Sequence, residues 1–341
     1  MKKYLKIVLI FIAAVAVLLG AVLGFFLVGK QKISENITWG VDFSQSQAEY
    51  LKLDWKDVYL KTITDLGVKN IKLHTNWDLI ETNNGGYYFA DTDWQIKKAE
   101  ENNVKILYVL GLKTGRWPEC HVPSWASDFS EQQLKEATLS YIKNVVQRYK
   151  NSEAIAYWQV ENEPLFNFGI CPAWYYKSDE FLQQEVALIK LLDPSRKIIV
   201  SDSGEGSAWL KAGKIGDIVG VTIYRKVWTH ITDNFGFNTT YLFINPTVYA
   251  RKAFIVEKMF GKKVIGIELQ AEPWSYKPLM ETSLPEQSKT MSPEIFNQNV
   301  EFAKKTGFDT FYFWGVEWWY WLKETQNQPE IWNQAKTLFK Q

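Results

Sequence analysis

Trp158-Gln-Val-Glu-Asn-Glu-Pro164 decides how this chain folds when it is read beside Val264-Ile-Gly-Ile-Glu-Leu-Gln-Ala-Glu-Pro-Trp274. Each is a short apolar run that ends in carboxylates. Working outward, the same alternation of short Val/Ile/aromatic runs and longer helix-spaced segments continues from Thr38. Strands are expected near Thr38–Phe43, Asn70–His74, Val104–Leu110, Ala154–Glu161, Lys197–Ser201, Asp217–Tyr224, Lys263–Glu268 and Thr310–Trp314. Helices are expected near Asp54–Leu66, Thr92–Asn102, Ser130–Tyr149, Ser178–Leu192, Ser207–Ala212, Pro246–Phe260, Pro293–Thr306 and Glu330–Phe339. Ser130 with Gln133 reads as a capping box, and Gly67 and Gly307 stand where helices stop. One unbroken series of eight strand–helix pairs predicts an α/β fold, a single (β/α)₈ TIM barrel over residues 38–341.

Composition narrows the partners. The 341 residues are 46% hydrophobic and 23% charged, which supports a large core. A net charge of +1 argues against a nucleic-acid partner. Sixteen tryptophans are more than core packing usually needs, and indole faces suit the apolar faces of sugars. Residues 1–6 are basic and are expected in the cytoplasm. Ile7 to Val28 is uncharged, apolar and long enough for a ~30 Å bilayer. No small-x-small cleavage site follows it, so the run reads as a transmembrane signal anchor, with secretion after cleavage as the alternative. Residues 29–37 form a short linker. The barrel is then single-pass tethered, extracytoplasmic and expected to be a monomer.

Strand C-termini carry the chemistry of such barrels, and here they hold the polar and aromatic clusters. The second strand runs into His74-Thr-Asn-Trp77, the third into Gly111-Leu-Lys-Thr-Gly-Arg116-Trp-Pro-Glu-Cys120-His121. The fourth ends in Asn162-Glu163-Pro164, the sixth in Tyr224-Arg225, the seventh in Glu268 and the eighth in Trp314. Two carboxylates facing each other across a cleft are what hydrolysis of a glycosidic bond requires. Glu163 and Glu268 are the expected catalytic pair. Glu161 and Glu272 flank them; strand alternation would put Glu161 on the Glu163 side, one layer deeper. Asn162, Tyr224, Trp314, Trp77, Arg116 and His121 are the expected substrate-binding residues. The segment Trp318–Trp321 is either a cleft wall or packing. His74 and His121 with Glu81 or Glu119 lack metal-site spacing, so neither metal nor cofactor is expected. Cys120 and Cys171 follow adjacent strands and are expected to form a disulfide.

These motifs resemble the clan A glycoside hydrolases, nearest to the cellulase-like family 5. The resemblance rests on Asn162-Glu163-Pro164 at the fourth strand, Glu268 at the seventh and Trp314 at the eighth. It implies that Glu163 is the acid/base and Glu268 the nucleophile of a retaining double displacement. It further implies Asn162 at the sugar 2-hydroxyl, Tyr224 orienting the nucleophile and Trp314 as a floor for the sugar. The clan usually carries Arg on the second strand; here Lys72 stands there, a point donor rather than a fork. The expected function is a membrane-anchored β-glycan hydrolase acting on an oligo- or polysaccharide. A transglycosylase with the same site, a non-catalytic glycan-binding barrel and a phosphate-handling barrel are the alternatives.

Overall fold

In a computed structural model describing residues 2–29, 33–176, 179–232 and 235–340, eight parallel strands close into a barrel. They are β1 (Thr38–Ser44), β2 (Asn70–His74), β3 (Lys105–Leu110), β4 (Ile155–Val160), β5 (Lys197–Asp202), β6 (Ile218–Ile223), β7 (Lys263–Gln270) and β8 (Thr310–Trp314). Each pairs with its neighbours in sequence, and β8 closes on β1 through Thr38–Thr310 to Val41–Phe313. The expected strands are therefore the observed ones, with ends shifted by a residue or two.

Two apolar layers hold the barrel, because strands covered on both faces must bury both sets of side chains. Leu107, Val109, Ile199, Ile218, Ile265, Ile267 and Tyr312 fill its interior. A larger layer, including Val41, Ile71, Tyr108, Trp158, Val200, Val219 and Phe313, packs outward against the helices. Burying a side chain of this size contributes roughly 1.5–3 kcal/mol, so the two layers dominate stability.

The helices keep their expected places. α1 (Glu131–Tyr149) starts with the predicted capping box: Ser130 accepts from the Gln133 N–H and Gln133 accepts from the Ser130 N–H. α2 (Pro246–Phe260) has Asn245 as its N-cap and proline in its first turn. Three features were not read from the sequence. Residues Val316–Thr325 form a helix directly after β8, which settles the Trp318–Trp321 alternative as packing, with all four side chains buried. Lys226–Thr232 and Phe235–Thr240 make a hairpin after β6, and Glu81–Asn83 with Gly86–Tyr87 make another after β2.

The N-terminal helix spans Lys2–Leu27, starting earlier than the expected apolar run. Within Lys3–Leu27, an 18-residue window has a mean hydropathy of 3.0 and none of it is buried. Among the described residues it is the one helix long and apolar enough to cross a membrane. Its last turn touches the barrel where Arg251 on α2 donates to the Phe25 carbonyl at 3.1 Å.

Candidate active site

The regular backbone of β4 stops at Val160, and Glu161 and Glu163 both adopt left-handed conformations, φ +60° and +45°. Strand alternation therefore fails at this point, and the two carboxylates diverge. Glu163 is buried in the barrel mouth. Its N–H donates to Ser201 Oγ on β5 at 2.8 Å, and its Oε1 accepts from Thr222 Oγ1 on β6 at 2.7 Å. Lys113 Nζ donates to the Glu163 and Phe166 carbonyls at 3.1 and 3.2 Å, which fixes the backbone after the strand. Burial, then the negative charge of Glu268, pushes the Glu163 carboxyl up to about 8, against the opposing pull of Lys113 and Thr222.

Glu161 is not on the Glu163 side, contrary to expectation. It accepts from the Leu112 and Lys113 N–H groups at 2.8 and 2.5 Å and from Tyr175 Oη at 2.7 Å. It clamps the loop after β3 to the loop after β4. Gly111, at φ +121°, makes the approach possible: a Cβ there would lie 2.2 Å from Glu161 Oε1.

Glu268 lies beside Thr222 in the β6–β7 register, just past an irregularity between Gly266 and Glu268 that re-aims the side chain into the mouth. Its Oε1 accepts from Lys72 Nζ at 2.7 Å and its Oε2 from Tyr224 Oη at 2.8 Å. Burial alone would raise this carboxyl. Lys72, by its charge and its hydrogen bond, and Tyr224 outweigh that penalty and hold it below its ordinary value. Two carboxylic acids in one mouth are thus driven in opposite directions by what each one touches.

Lys72 is the residue that organises this polarity. It is fully buried, 3.3 Å from Asp42 Oδ1 on β1 and 3.4 Å from Asn162 Oδ1. Burial disfavours its charge, but Asp42 and Glu268 more than compensate, so it stays a cation. His74 lies alongside, bonded to Asp42 Oδ1 at 3.2 Å and to the Thr114 carbonyl, and burial keeps it neutral well below its usual range. Lys72 sits between Ile71 and Leu73 in an apolar strand. A charge in that register is a signal of a buried polar centre, and it was legible as a departure though not as a role.

Asn162 is buried, with Gln159 Nε2 donating to its Oδ1 at 3.1 Å and Lys72 Nζ donating to the same oxygen at 3.4 Å. Tyr224 and Trp314 also reach the mouth. Trp314 stands edge-on to His74 at 5.3 Å and donates to Glu272 Oε1 at 2.7 Å. Arg116 lies 3.9 Å over the Trp314 ring and pairs with Glu272 and, at 2.9 Å, with Glu317. This links the loop after β3 to β7 and β8 across the barrel mouth.

Two of the expected substrate contacts have protein partners in this structure. Trp77 is fully buried; it stacks on Tyr141 of α1 at 5.6 Å and donates to Glu81 at 2.7 Å. Its helical turn aims the indole outward into packing rather than into the mouth. His121 is buried and bonds the Gly115 carbonyl at 2.9 Å, a contact within its own loop. Cys120 and Cys171 are bonded, with Cα atoms 5.2 Å apart, and join the loops after β3 and β4. Glu119, next to Cys120, was weighed only as a metal ligand. It sits in the mouth with one buried oxygen unpartnered, and burial first, then Glu268, raises its carboxyl to about 7. Among the described residues, no group of three or more His, Cys, Asp or Glu is placed to hold a metal.

Known proteins resemble the chain as follows. The sequence model of glycosyl hydrolase family 10 matches residues 41–339. The probable mannan endo-1,4-beta-mannosidase A of Aspergillus niger is 27% identical over 141 residues, covering 36% of this chain and 33% of that protein. The endo-1,4-beta-xylanase 3 of Hypocrea jecorina is 23% identical over 210 residues, covering 56% and 57%. The chain thus spans about a third to just over half the length of these relatives. Among solved structures, xylanase 10B from Thermotoga petrophila, in complex with xylobiose, matches with a TM-score of 0.57 at 17% identity, covering 91% of this chain and 99% of that one. That likeness is one of fold. The resemblance to family 5 is corrected to family 10 within the same clan. The residues that carried it mark chemistry at strands 4, 7 and 8 of the clan's barrel, so they do not separate one family from another.

Proposed function

We propose a function from the premise that this chain belongs to glycosyl hydrolase family 10: it hydrolyses β-1,4-linked glycans with retention of anomeric configuration. In this reading Glu163 is the general acid and then base, and Glu268 is the nucleophile. One observation carries it. Glu163, pushed up to about 8, holds a proton at neutral pH, while Glu268, facing Lys72 and Tyr224, stays ionised. That is the division of labour the reaction needs.

The steps follow from the atoms. Glu268 attacks the anomeric carbon, and Glu163 passes its proton to the departing glycosidic oxygen. A glycosyl ester on Glu268 results. Glu163, now a carboxylate, takes a proton from water, and that water opens the ester. Lys72 and Tyr224 stabilise Glu268 as its charge returns. In this reading Asn162, held by Lys72 and Gln159, takes the sugar 2-hydroxyl, and Trp314 with Arg116 takes the ring. The barrel is taken to work outside the cytoplasm on a membrane anchor, a reading that rests on the apolar Lys3–Leu27 helix.

Proton NMR of products from β-1,4-xylan and β-1,4-mannan oligosaccharides tests the reading. The first product should carry the β configuration. Glu268→Gln should abolish turnover on every substrate. Glu163→Ala should keep the first step for aryl glycosides with very good leaving groups, and azide should then speed turnover. An α product, or a Glu268→Gln variant of near-normal activity, overturns the assignment. Added acceptor sugar separates hydrolysis from transglycosylation.

A further inference from the structure

The apolar N-terminal helix is longer than a bilayer core is thick. At 1.5 Å per residue, the 25 residues of Lys3–Leu27 extend about 37 Å, against a hydrocarbon core of ~30 Å. In a membrane its ends therefore reach the headgroup layers. Its C-terminal end is docked on the barrel. Asn245 Nδ2 donates to the Leu27 carbonyl at 3.5 Å, and Arg251 donates to the Phe25 carbonyl at 3.1 Å. Gly29 follows against the same surface, where a Cβ would lie 3.0 Å from Arg251 Nη2.

Just before Asn245 stand Leu242 and Phe243, 73% and 86% exposed. Phe243 is the most exposed large apolar side chain of the barrel among the described residues. Consecutive Cα atoms are 3.8 Å apart, so the Phe243 Cα lies within about 8 Å of the Asn245 Cα. The fold braces this tip from beneath. Arg225 Nη1 donates to the Tyr241 and Ile244 carbonyls at 2.9 and 2.8 Å, one on each side of the exposed pair. The Tyr241 N–H donates back to the Arg225 carbonyl at 3.1 Å, and the guanidinium lies 4.0 Å over the Phe302 ring. Two large apolar side chains are thus held outward beside the end of the N-terminal helix.

We propose that Leu242 and Phe243 form a docking tip that enters the headgroup layer of a phospholipid bilayer beside the N-terminal helix and holds the barrel at the lipid surface. The inference rests on the reading of that helix as a membrane anchor and is independent of the hydrolase chemistry. Leucine and phenylalanine gain by leaving water at such an interface, and the anchor has already brought them to it. Continuity with the anchor selects lipid rather than a protein as the occupant. With helix and tip both engaged, the barrel cannot swing freely on its tether. The loop after β6, part of the rim of the mouth, then stays at the lipid surface.

The test uses the full chain in vesicles of equal parts phosphatidylcholine and phosphatidylglycerol. Cys120 and Cys171 are bonded, so Phe243→Cys offers a single thiol for a polarity-sensitive dye. Leu191→Cys, 79% exposed at the end of the helix after β4, is the control. The dye at 243 should emit at shorter wavelength than at 191 and be quenched severalfold more by spin-labelled lipid. A dye on Thr240→Cys, beside an intact tip, should show the same lipid quenching and lose it when Leu242→Ser and Phe243→Ser are added. Because both tip side chains are exposed, those two serines should leave the melting temperature unchanged. Protein that floats with the vesicles while 243 and 191 are quenched alike, or a Thr240→Cys signal that ignores the serines, overturns the tip alone. A full chain that does not float with the vesicles overturns the anchor reading and the tip with it.

Discussion

At the scale of single residues, Lys72 is the hinge of the site's electrostatics. It gives Glu268 a charge-assisted bond at 2.7 Å between two buried side chains, where such a bond is far stronger than at a surface. The pH dependence follows with its sign. Glu163 must be protonated for the first step, so activity should fall as pH rises through about 8. Glu268 must be ionised, and its carboxyl is held low, so activity should persist below the ordinary carboxylate range before it fails. Replacing Lys72 by Met removes the cation while keeping the chain's length. Glu268 then loses its main support and its carboxyl should rise. The expected result is a kcat/KM roughly 10²-fold lower, with the acid limb of the pH profile moved to higher pH. A variant with an unmoved acid limb would show that Lys72 is structural only. Unfolding measured alongside separates the two, because Asp42 also loses its partner.

Among elements, the loops after β3 and β4 behave as one unit. Glu161 clamps Leu112 and Lys113, Lys113 clamps Glu163 and Phe166, and the disulfide closes a 51-residue separation. Glu161 shares its burial with Glu185, whose own carboxyl is raised well above the ordinary value by burial and by Glu161. A pair of this kind is held by a proton rather than by two charges. Cross-linking a loop of that length stabilises by about 4 kcal/mol in the chain-entropy account. Replacing both cysteines by serine should lower the melting temperature by several degrees. Calorimetry on the two proteins checks this.

For the whole molecule, the relation of the barrel to the apolar N-terminal helix governs where the enzyme works. Arg251 reaches the Phe25 carbonyl and stacks on the Phe25 ring at 4.8 Å, so the barrel sits close to the helix end. If the helix spans once, with residues 1–6 inside, protease added to intact cells should release an active barrel fragment. A barrel that becomes sensitive only after lysis would refute this topology. A culture supernatant holding all of the barrel would instead indicate cleavage of the helix.

What the amino-acid order determined by itself was the architecture and the place of two carboxylates at its strand ends. Eight apolar runs alternating with helical spacing leave few folds that bury both strand faces, and Glu163 and Glu268 stand at the ends of their runs. The disulfide was also legible, because loops after adjacent strands are neighbours in any such barrel. Tertiary structure decided the rest. Trp77 read like a cleft aromatic and Trp318–Trp321 like either cleft wall or packing, and both lie on helical turns with their side chains buried. Glu161 was expected beside Glu163, but left-handed backbone at both positions sends the two side chains apart. The partners of Glu268 come from β2 and from the end of β6, some 196 and 44 residues away in sequence. No local pattern encodes a contact at that separation. Closure of the barrel brings Lys72 and Tyr224 to Glu268, and that meeting sets which carboxyl keeps its proton.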